Sequence, residues 1–141
     1  MATRSTIAVK HEDGTVSQIY CHFDGYLQHN GQMLQEYYNS PLAAEFLVSK
    51  GDLSVLGPRV TPTGPHSFDT PEDGVCVYYG RDRGETDTEP KTYASVSEYF
   101  DEYSREEYNY FFNGESWEVE QSDRDFMSIT EALSLETEDY E

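Results

Sequence analysis

Between residues 95 and 120, SVSEYFDEYSREEYNYFFNGESWEVE, apolar and acidic positions alternate in two successive periods. Ser95 with Glu98 forms a capping box, and Val96, Tyr99, Phe100 and Tyr103 recur at i, i+3, i+4, i+7. That spacing predicts an amphipathic helix whose opposite face carries Glu98, Asp101, Glu102 and Glu106. Asn113-Gly114 then separates two aromatic-rich runs, the signal of a β-hairpin with a type I′ turn. Counting back from this turn pairs Tyr110 with Trp117 and Tyr108 with Val119 on one face, and Asn109 with Glu118 on the other. One helix and one hairpin thus hide rings and display carboxylates.

The same patterning extends over the rest of the chain. Residues 5 to 23 hold two β-branched runs around Asp13-Gly14, a second hairpin signal. A two-residue turn there places Ala8, Ile19, Cys21 and Phe23 on one face and Ile7, Val9, Val16 and Tyr20 on the other. Both faces are apolar, so this hairpin is expected to be central and covered on both sides. Met33, Leu34, Tyr37 and Tyr38 mark a short helix; Ser40-Pro41 starts another, carrying Leu42, Ala43, Phe46 and Leu47 until Gly51. Residues 57 to 74 hold four prolines and three glycines and read as a surface loop, as does the polar stretch 81 to 92. Residues 74 to 80, GVCVYYG, form a strand-length run between them. Ser128 and Glu131 cap a last short helix through Ile129, Ala132, Leu133 and Leu135, with residues 136 to 141 as a frayed acidic tail. The order ββ-αα-β-α-ββ-α has no βαβ repetition. It predicts a single α+β domain whose mainly antiparallel sheet comes from two hairpins plus one further strand, with helices packed on it.

Charge narrows the choice of partner. The 141 residues carry 28 acidic and 9 basic side chains, a formal charge of −19, which excludes nucleic acid and anionic membrane surfaces as direct partners. Residues 61 to 141 hold 22 of the acids and 5 of the bases. Twenty aromatic residues, 12 tyrosines, 7 phenylalanines and one tryptophan, supply the burial that disordered acidic chains lack. Cys21 and Cys76 are expected to be reduced, buried small hydrophobes in a soluble cytoplasmic protein.

Carboxylates at i, i+4 on a helix lie ~5–6 Å apart and those at i, i+2 on a strand ~6.7 Å apart, on the order of phosphate spacing. Glu98, Asp101, Glu102, Glu106, Glu107, Glu115, Glu118, Glu120, Asp123 and Asp125 are therefore candidates for mimicry of a nucleic-acid backbone, with Tyr99, Tyr103, Phe111 and Trp117 as anchoring rings. The expected partner is a basic nucleic-acid-binding protein; a homodimer through the aromatic hairpin is an alternative. A different class of reading places a small enzyme or ligand site at the mouth of the first hairpin, with Arg4, His22, Asp24 and Tyr26. His22, Asp24 and His29, with His11, His66 and Asp69 elsewhere, are of metal-binding types, but their spacing matches no standard cluster, and no metal or other cofactor is expected. Gly80-Arg81-Asp82-Arg83-Gly84 lacks phosphate-loop spacing and is expected to form salt bridges with the acidic half. No Ser-His-Asp pattern or nucleophile elbow is present along the chain, so no catalytic residue is assigned.

The run TRSTIAVKHEDGTVSQIYCHFDGYLQHNG at residues 3 to 31, with GVCVYYGRDRGE and the segment from SVSEYFDEY to NYFFNGESW, resembles small acidic proteins encoded by bacteriophages and prophages. The resemblance implies context and carries over no functional residues. Small acidic phage proteins often inhibit host systems, and the DNA mimics among them block restriction enzymes, CRISPR effectors, recombination nucleases or RNA polymerase.

Overall fold

Two hairpins seed the sheet, and their loops set which side chains share a face. The computed structural model describes residues 3 to 121 and 124 to 139. Strands β1 (Ser5–Lys10) and β2 (Val16–Phe23) are joined through a loop in which His11 N–H bonds Thr15 C=O at 2.8 Å and Gly14 takes φ 91°. The Asp13 carboxylate accepts both the backbone N–H of Thr15, at 3.0 Å, and its hydroxyl, at 2.6 Å. The connection thereby gains one residue over the expected two-residue turn and becomes a three-residue loop with a left-handed glycine. Lys10 pairs with Val16 and Ile7 with Ile19. A slip of one residue inverts the faces, so the expected grouping is corrected. Ile7, Val9, Ile19 and Cys21 lie together in one cluster, whereas Ala8 and Val16 belong to another.

The chain then makes a π-helical turn (Leu27–Gly31) and enters α1 (Gln32–Tyr37) and α2 (Pro41–Ser49). The Ser40 hydroxyl accepts Ala43 N–H at 3.2 Å ahead of Pro41, as the cap signal requires. The buried stripe of α2 is Ala44, Leu47 and Val48, one position on from the expected one, which leaves Phe46 half-exposed and Leu42 83% exposed. In α1 Leu34 is buried and Tyr37 exposed.

Three short strands were not visible as periodic runs: β3 (Leu53–Val55), β5 (Lys91–Tyr93) and β8 (Arg124–Ser128). The expected strand at 74 to 80 contracts to β4 (Val77–Tyr78), after which the chain turns into a short helix, α3 (Tyr79–Arg83). Residues 81 to 92 are therefore not one loop: α3 opens the stretch and β5 closes it. Residues 57 to 74 run outside helix and strand, joined to the following segment by the bridge Arg59↔Val75. α4 (Val96–Glu102) is followed by β6 (Tyr108–Phe112), β7 (Trp117–Gln121), β8 and α5 (Ile129–Asp139). The Ser128 hydroxyl accepts Glu131 N–H at 3.1 Å, and α5 continues beyond Leu135 to Asp139.

The result is an α+β fold on one mixed sheet, in the order β4-β3-β2-β1-β6-β7-β8, with β5 beside β2. Most pairs are antiparallel, as expected, but β1 runs parallel to β6 and β2 parallel to β3. Neither parallel contact is local in sequence, so hairpin signals alone could not give it. β1 and β2 are central and covered on both faces, as their composition demanded. One face packs Ile7, Ile19, Tyr110, Phe112, Trp117 and Val119 beneath side chains of the π turn, α1, α2 and α5. The other packs Ala8, Val16 and Phe111 beneath Tyr93, Tyr99 and Tyr103.

Candidate acidic interface and the cavities beside it

α4 forms the centre of the acidic region. The Ser95 hydroxyl accepts Glu98 N–H at 3.1 Å, and the Glu98 carboxylate reaches back to Ala94 N–H, so this carboxylate closes the helix start. Tyr99 is the buried residue of α4, and at Tyr103 the backbone becomes extended, which ends the helix before Glu106. Tyr99 stacks on Phe111 at 5.1 Å and lies 4.9 Å from Tyr103, while Phe126 packs 5.3 Å from Phe100.

These rings make a platform and are not anchors. Tyr99, Tyr103, Phe111 and Trp117 are all buried, the last at 1% exposure. Their expected role in gripping a partner is corrected: each fills one of the two cores, and Trp117 Nε1–H also donates to Tyr38 C=O at 3.0 Å. The aromatic side chain at the surface of α4 is Phe100.

The ten candidate carboxylates divide by what holds them. Asp101, Glu102, Glu107, Glu115 and Asp125 are exposed. Glu106 is half-buried in the linker after α4. Glu118 accepts Asn113 Nδ2 at 2.7 Å. Glu120 is buried and accepts the Tyr103 hydroxyl at 2.8 Å and Asn109 Nδ2 at 2.9 Å, so it belongs to the interior. Burial, followed by this carboxylate holding its proton, pushes the Tyr103 phenol up to about 12. Asp123 lies outside the described residues.

The second hairpin presents these groups in a register displaced from the expected one. Asn113 Oδ1 accepts the N–H groups of Glu115 and Ser116, at 2.9 and 3.0 Å, and Gly114 takes φ 102° as the first residue of a Gly114-Glu115 turn. Phe112 therefore pairs with Trp117, Tyr110 with Val119 and Asn109 with Glu120. The shift is two residues, so every side chain keeps its expected face although each partner changes.

A polar cavity of about 390 Å³ adjoins the acidic linker, lined among others by Thr6, Gln18, Tyr20, Asp52, Lys91 and Glu106. It lies where the outer edge of β2 passes from β5, at Val16 to Gln18, to β3, at Cys21 and Phe23. Tyr20 N–H in that gap is satisfied by the Asp52 carboxylate at 2.9 Å, and burial pushes the Asp52 carboxyl up. Five chain segments meet here, and nothing in their local patterns announced it.

The residues of the alternative site serve local contacts. His22 Nδ1 bonds the Tyr20 hydroxyl at 2.7 Å, and the Tyr26 ring lies 6.1 Å from His29. Asp24 C=O accepts Asn30 N–H at 3.3 Å, and Arg4 N–H reaches Glu107 at 3.4 Å. None of the four lines a cavity described here. Among the described residues no group of three or more His, Cys, Asp or Glu is placed to hold a metal ion. Cys21 and Cys76 are free and buried, and burial pushes the Cys21 thiol up to about 12, so neither is an activated nucleophile.

The basic cluster forms salt bridges with acids of residues 61 to 141, as expected. Arg81 donates to Asp82 at 2.9 Å and to the carbonyls of Val60 and Cys76, and Arg83 meets Glu85 at 3.4 Å. His66 Nδ1 accepts Glu72 N–H at 3.0 Å, which places the ring proton on Nε2, 3.1 Å from Asp82. Burial alone would raise the Asp82 carboxyl; hydrogen bonds from Arg81, Tyr78 N–H and His66 outweigh it and hold the group below its usual range. The bonds from Arg81 to Val60 C=O and from His66 to Asp82 fasten the 57 to 74 loop onto α3.

Compared with protein-family models, with curated proteins and with solved structures, the chain matches none. Among the described residues no helix is long and apolar enough to cross a membrane.

Proposed function

We propose that this protein is a phage-derived binding protein that occludes the basic nucleic-acid groove of a host enzyme, its carboxylates standing in for phosphates. The observation that carries this reading is the exposure of Asp101, Glu102, Glu107, Glu115 and Asp125 around a packed aromatic core, while Arg59, Arg81 and Arg83 are engaged with Glu72, Asp82 and Glu85. Fixed carboxylates lose little freedom on binding, and the summed field steers a cationic partner into place. Phe100, half-exposed within the acidic surface, supplies the apolar contact that charge alone lacks.

The test is a pull-down from host lysate at low and high salt, with nucleic acid as competitor. Recovery at low salt of one nucleic-acid enzyme, displaced by excess DNA or RNA, supports mimicry; a partner indifferent to salt and to nucleic acid refutes it. Charge reversal belongs at Asp101, Glu102 and Glu107, because Glu98 also closes the helix start and its replacement would confound binding with folding. A second reading, self-association, is favoured by exposed Tyr37, Leu42 and Phe46 on α1 and α2, and moves away from the aromatic hairpin, whose rings are buried. Sedimentation equilibrium separates the two.

A further inference from the structure

The cavity beside the acidic linker arises from a gap in the sheet. β5 covers the outer edge of β2 at Val16, Ser17 and Gln18, and β3 takes up that edge again at Cys21, so Ile19 and Tyr20 have no strand on that side. Asp52, the residue before β3, enters the gap, its carboxylate taking Tyr20 N–H at 2.9 Å. Its backbone is anchored separately: N–H donates to Thr88 C=O at 2.9 Å, and C=O accepts Tyr79 N–H at 3.2 Å. The residue is thus placed without help from its charge.

Burial grades the lining from floor to mouth. Thr6 and Gln18 are buried, and Gln18 is fixed by donating to Ser104 C=O at 2.9 Å and accepting the Tyr93 hydroxyl at 2.9 Å. Tyr20, Asp52, Ser104 and Glu106 are half-buried, whereas Asp87, Glu89 and Lys91 are exposed at the mouth. The Lys91 ammonium donates to the Ser104 hydroxyl at 2.5 Å. Four carboxylates against one ammonium leave the lining with a formal charge of −3. Burial pushes the Asp52 carboxyl up; Glu89 adds to the push, and neither Tyr20 N–H nor Lys91 offsets it. The Asp52 carboxylate therefore sits partly out of water with too little positive charge beside it.

We propose that this cavity binds a guanidinium group, the end of an arginine side chain inserted by the basic partner. Anions are repelled by the lining, and among the described residues no three acids converge as a metal ion requires. An ammonium is a compact, strongly hydrated charge with three donors, whereas a guanidinium is planar, weakly hydrated and carries five donors in a fixed fork. Half-burial favours the weakly hydrated cation. Acceptors brought by separate segments, at Asp52, Glu89 and Glu106, favour the wider fork. A volume of about 390 Å³ admits the side chain with its stem. An arginine seated here adds a desolvated anchor to the interface that Phe100 shares. The source of the arginine rests on the occlusion reading above; the site itself does not.

Titration of the isotope-labelled full chain with N-acetylarginine methylamide, compared by NMR with N-acetyllysine methylamide at equal ionic strength, tests the site with no partner present. The expected result is a saturable amide shift centred on Tyr20, Asp52 and Lys91, with tighter binding of the arginine compound. Asp52→Asn keeps an oxygen for Tyr20 N–H, so its thermal midpoint is expected to hold while arginine affinity falls about 10-fold or more. Equal binding of the two compounds, shifts spread over Asp101, Glu102 and Glu115 with no focus at Tyr20, or unchanged affinity in folded Asp52→Asn would each overturn the proposal. The lysate pull-down is a separate readout. Arginine binding at Tyr20 with no salt-sensitive enzyme captured means that the occlusion reading fails and the site stands. Capture of the same enzyme in equal yield by wild type and Asp52→Asn means that the reading stands and the proposed insertion fails.

Discussion

The two faces of the sheet are covered by different means. One lies under three helices and a π turn and is packed with aliphatic side chains around Tyr110, Phe112 and Trp117. The other lies under a single short helix and is mostly rings: Tyr93, Tyr99, Tyr103 and Phe111, with Phe126 at the margin. A seven-residue helix has few apolar positions to offer, so large side chains must supply the buried area. Rings also bring polar ends inside: the Tyr103 hydroxyl donates to the buried Glu120 carboxylate, which also accepts Asn109 Nδ2, and the Tyr93 hydroxyl donates to Gln18. The larger core fixes the fold, whereas the smaller one holds an acidic surface in a set shape.

Removing the largest buried side chain of the first face should have the greatest effect. Trp117→Ala is expected to destabilise by about 3–5 kcal/mol in denaturant unfolding, through the cavity and the lost bond to Tyr38 C=O. Ser95→Ala on the second face is expected to cost about 1 kcal/mol by uncapping α4, and a null result would show that α4 is held by its rings alone. Tyr99→Phe should act in the opposite sense. The Tyr99 hydroxyl is buried without a hydrogen-bond partner, so its removal is expected to stabilise by about 1 kcal/mol. A loss of stability instead would reveal a bound water and a wetter second face.

Asp101→Lys with Glu102→Lys should leave stability within about 0.5 kcal/mol while weakening salt-sensitive binding, which separates the acidic surface from the core beneath it. The smallest and most local effect concerns the loop that lies apart from both cores. The Thr63 hydroxyl, the backbone N–H groups of Gly64 and Thr63, and Arg59 hold the Glu72 carboxyl down to about 2, against an ordinary value of 4.5. A depressed value stabilises the folded form fully above 4.5, and that contribution is lost as pH falls toward 2. Amide exchange at Thr63 and Gly64 is expected to accelerate over that window, ahead of exchange in β1 and β6.

The hairpins show how far local pattern reaches. Asp13-Gly14 and Asn113-Gly114 both marked real turns, yet in each the side chain of the first residue recruited a following N–H and moved the turn. One displacement was odd and inverted the faces of β1 and β2; the other was even and preserved those of β6 and β7. The Ser40, Ser95 and Ser128 caps were legible because a cap is satisfied within three residues. The candidate carboxylates were legible as a charge excess, but Glu98 and Glu120 acquire structural partners that charge counting does not see.

By itself, the sequence determined the starts of α2, α4 and α5, the two hairpins, the burial of both faces of β1 and β2, and the sign and location of the charge. All of these follow from side chains a few residues apart or from sums along the chain. Only tertiary structure decided the parallel pairing of β1 with β6, the rotation of α2, the withdrawal of Tyr99, Tyr103, Phe111 and Trp117 from the surface, and the cavities between segments. Those depend on which distant surfaces find each other, and the burial gained in doing so outweighs any preference that neighbouring residues can express.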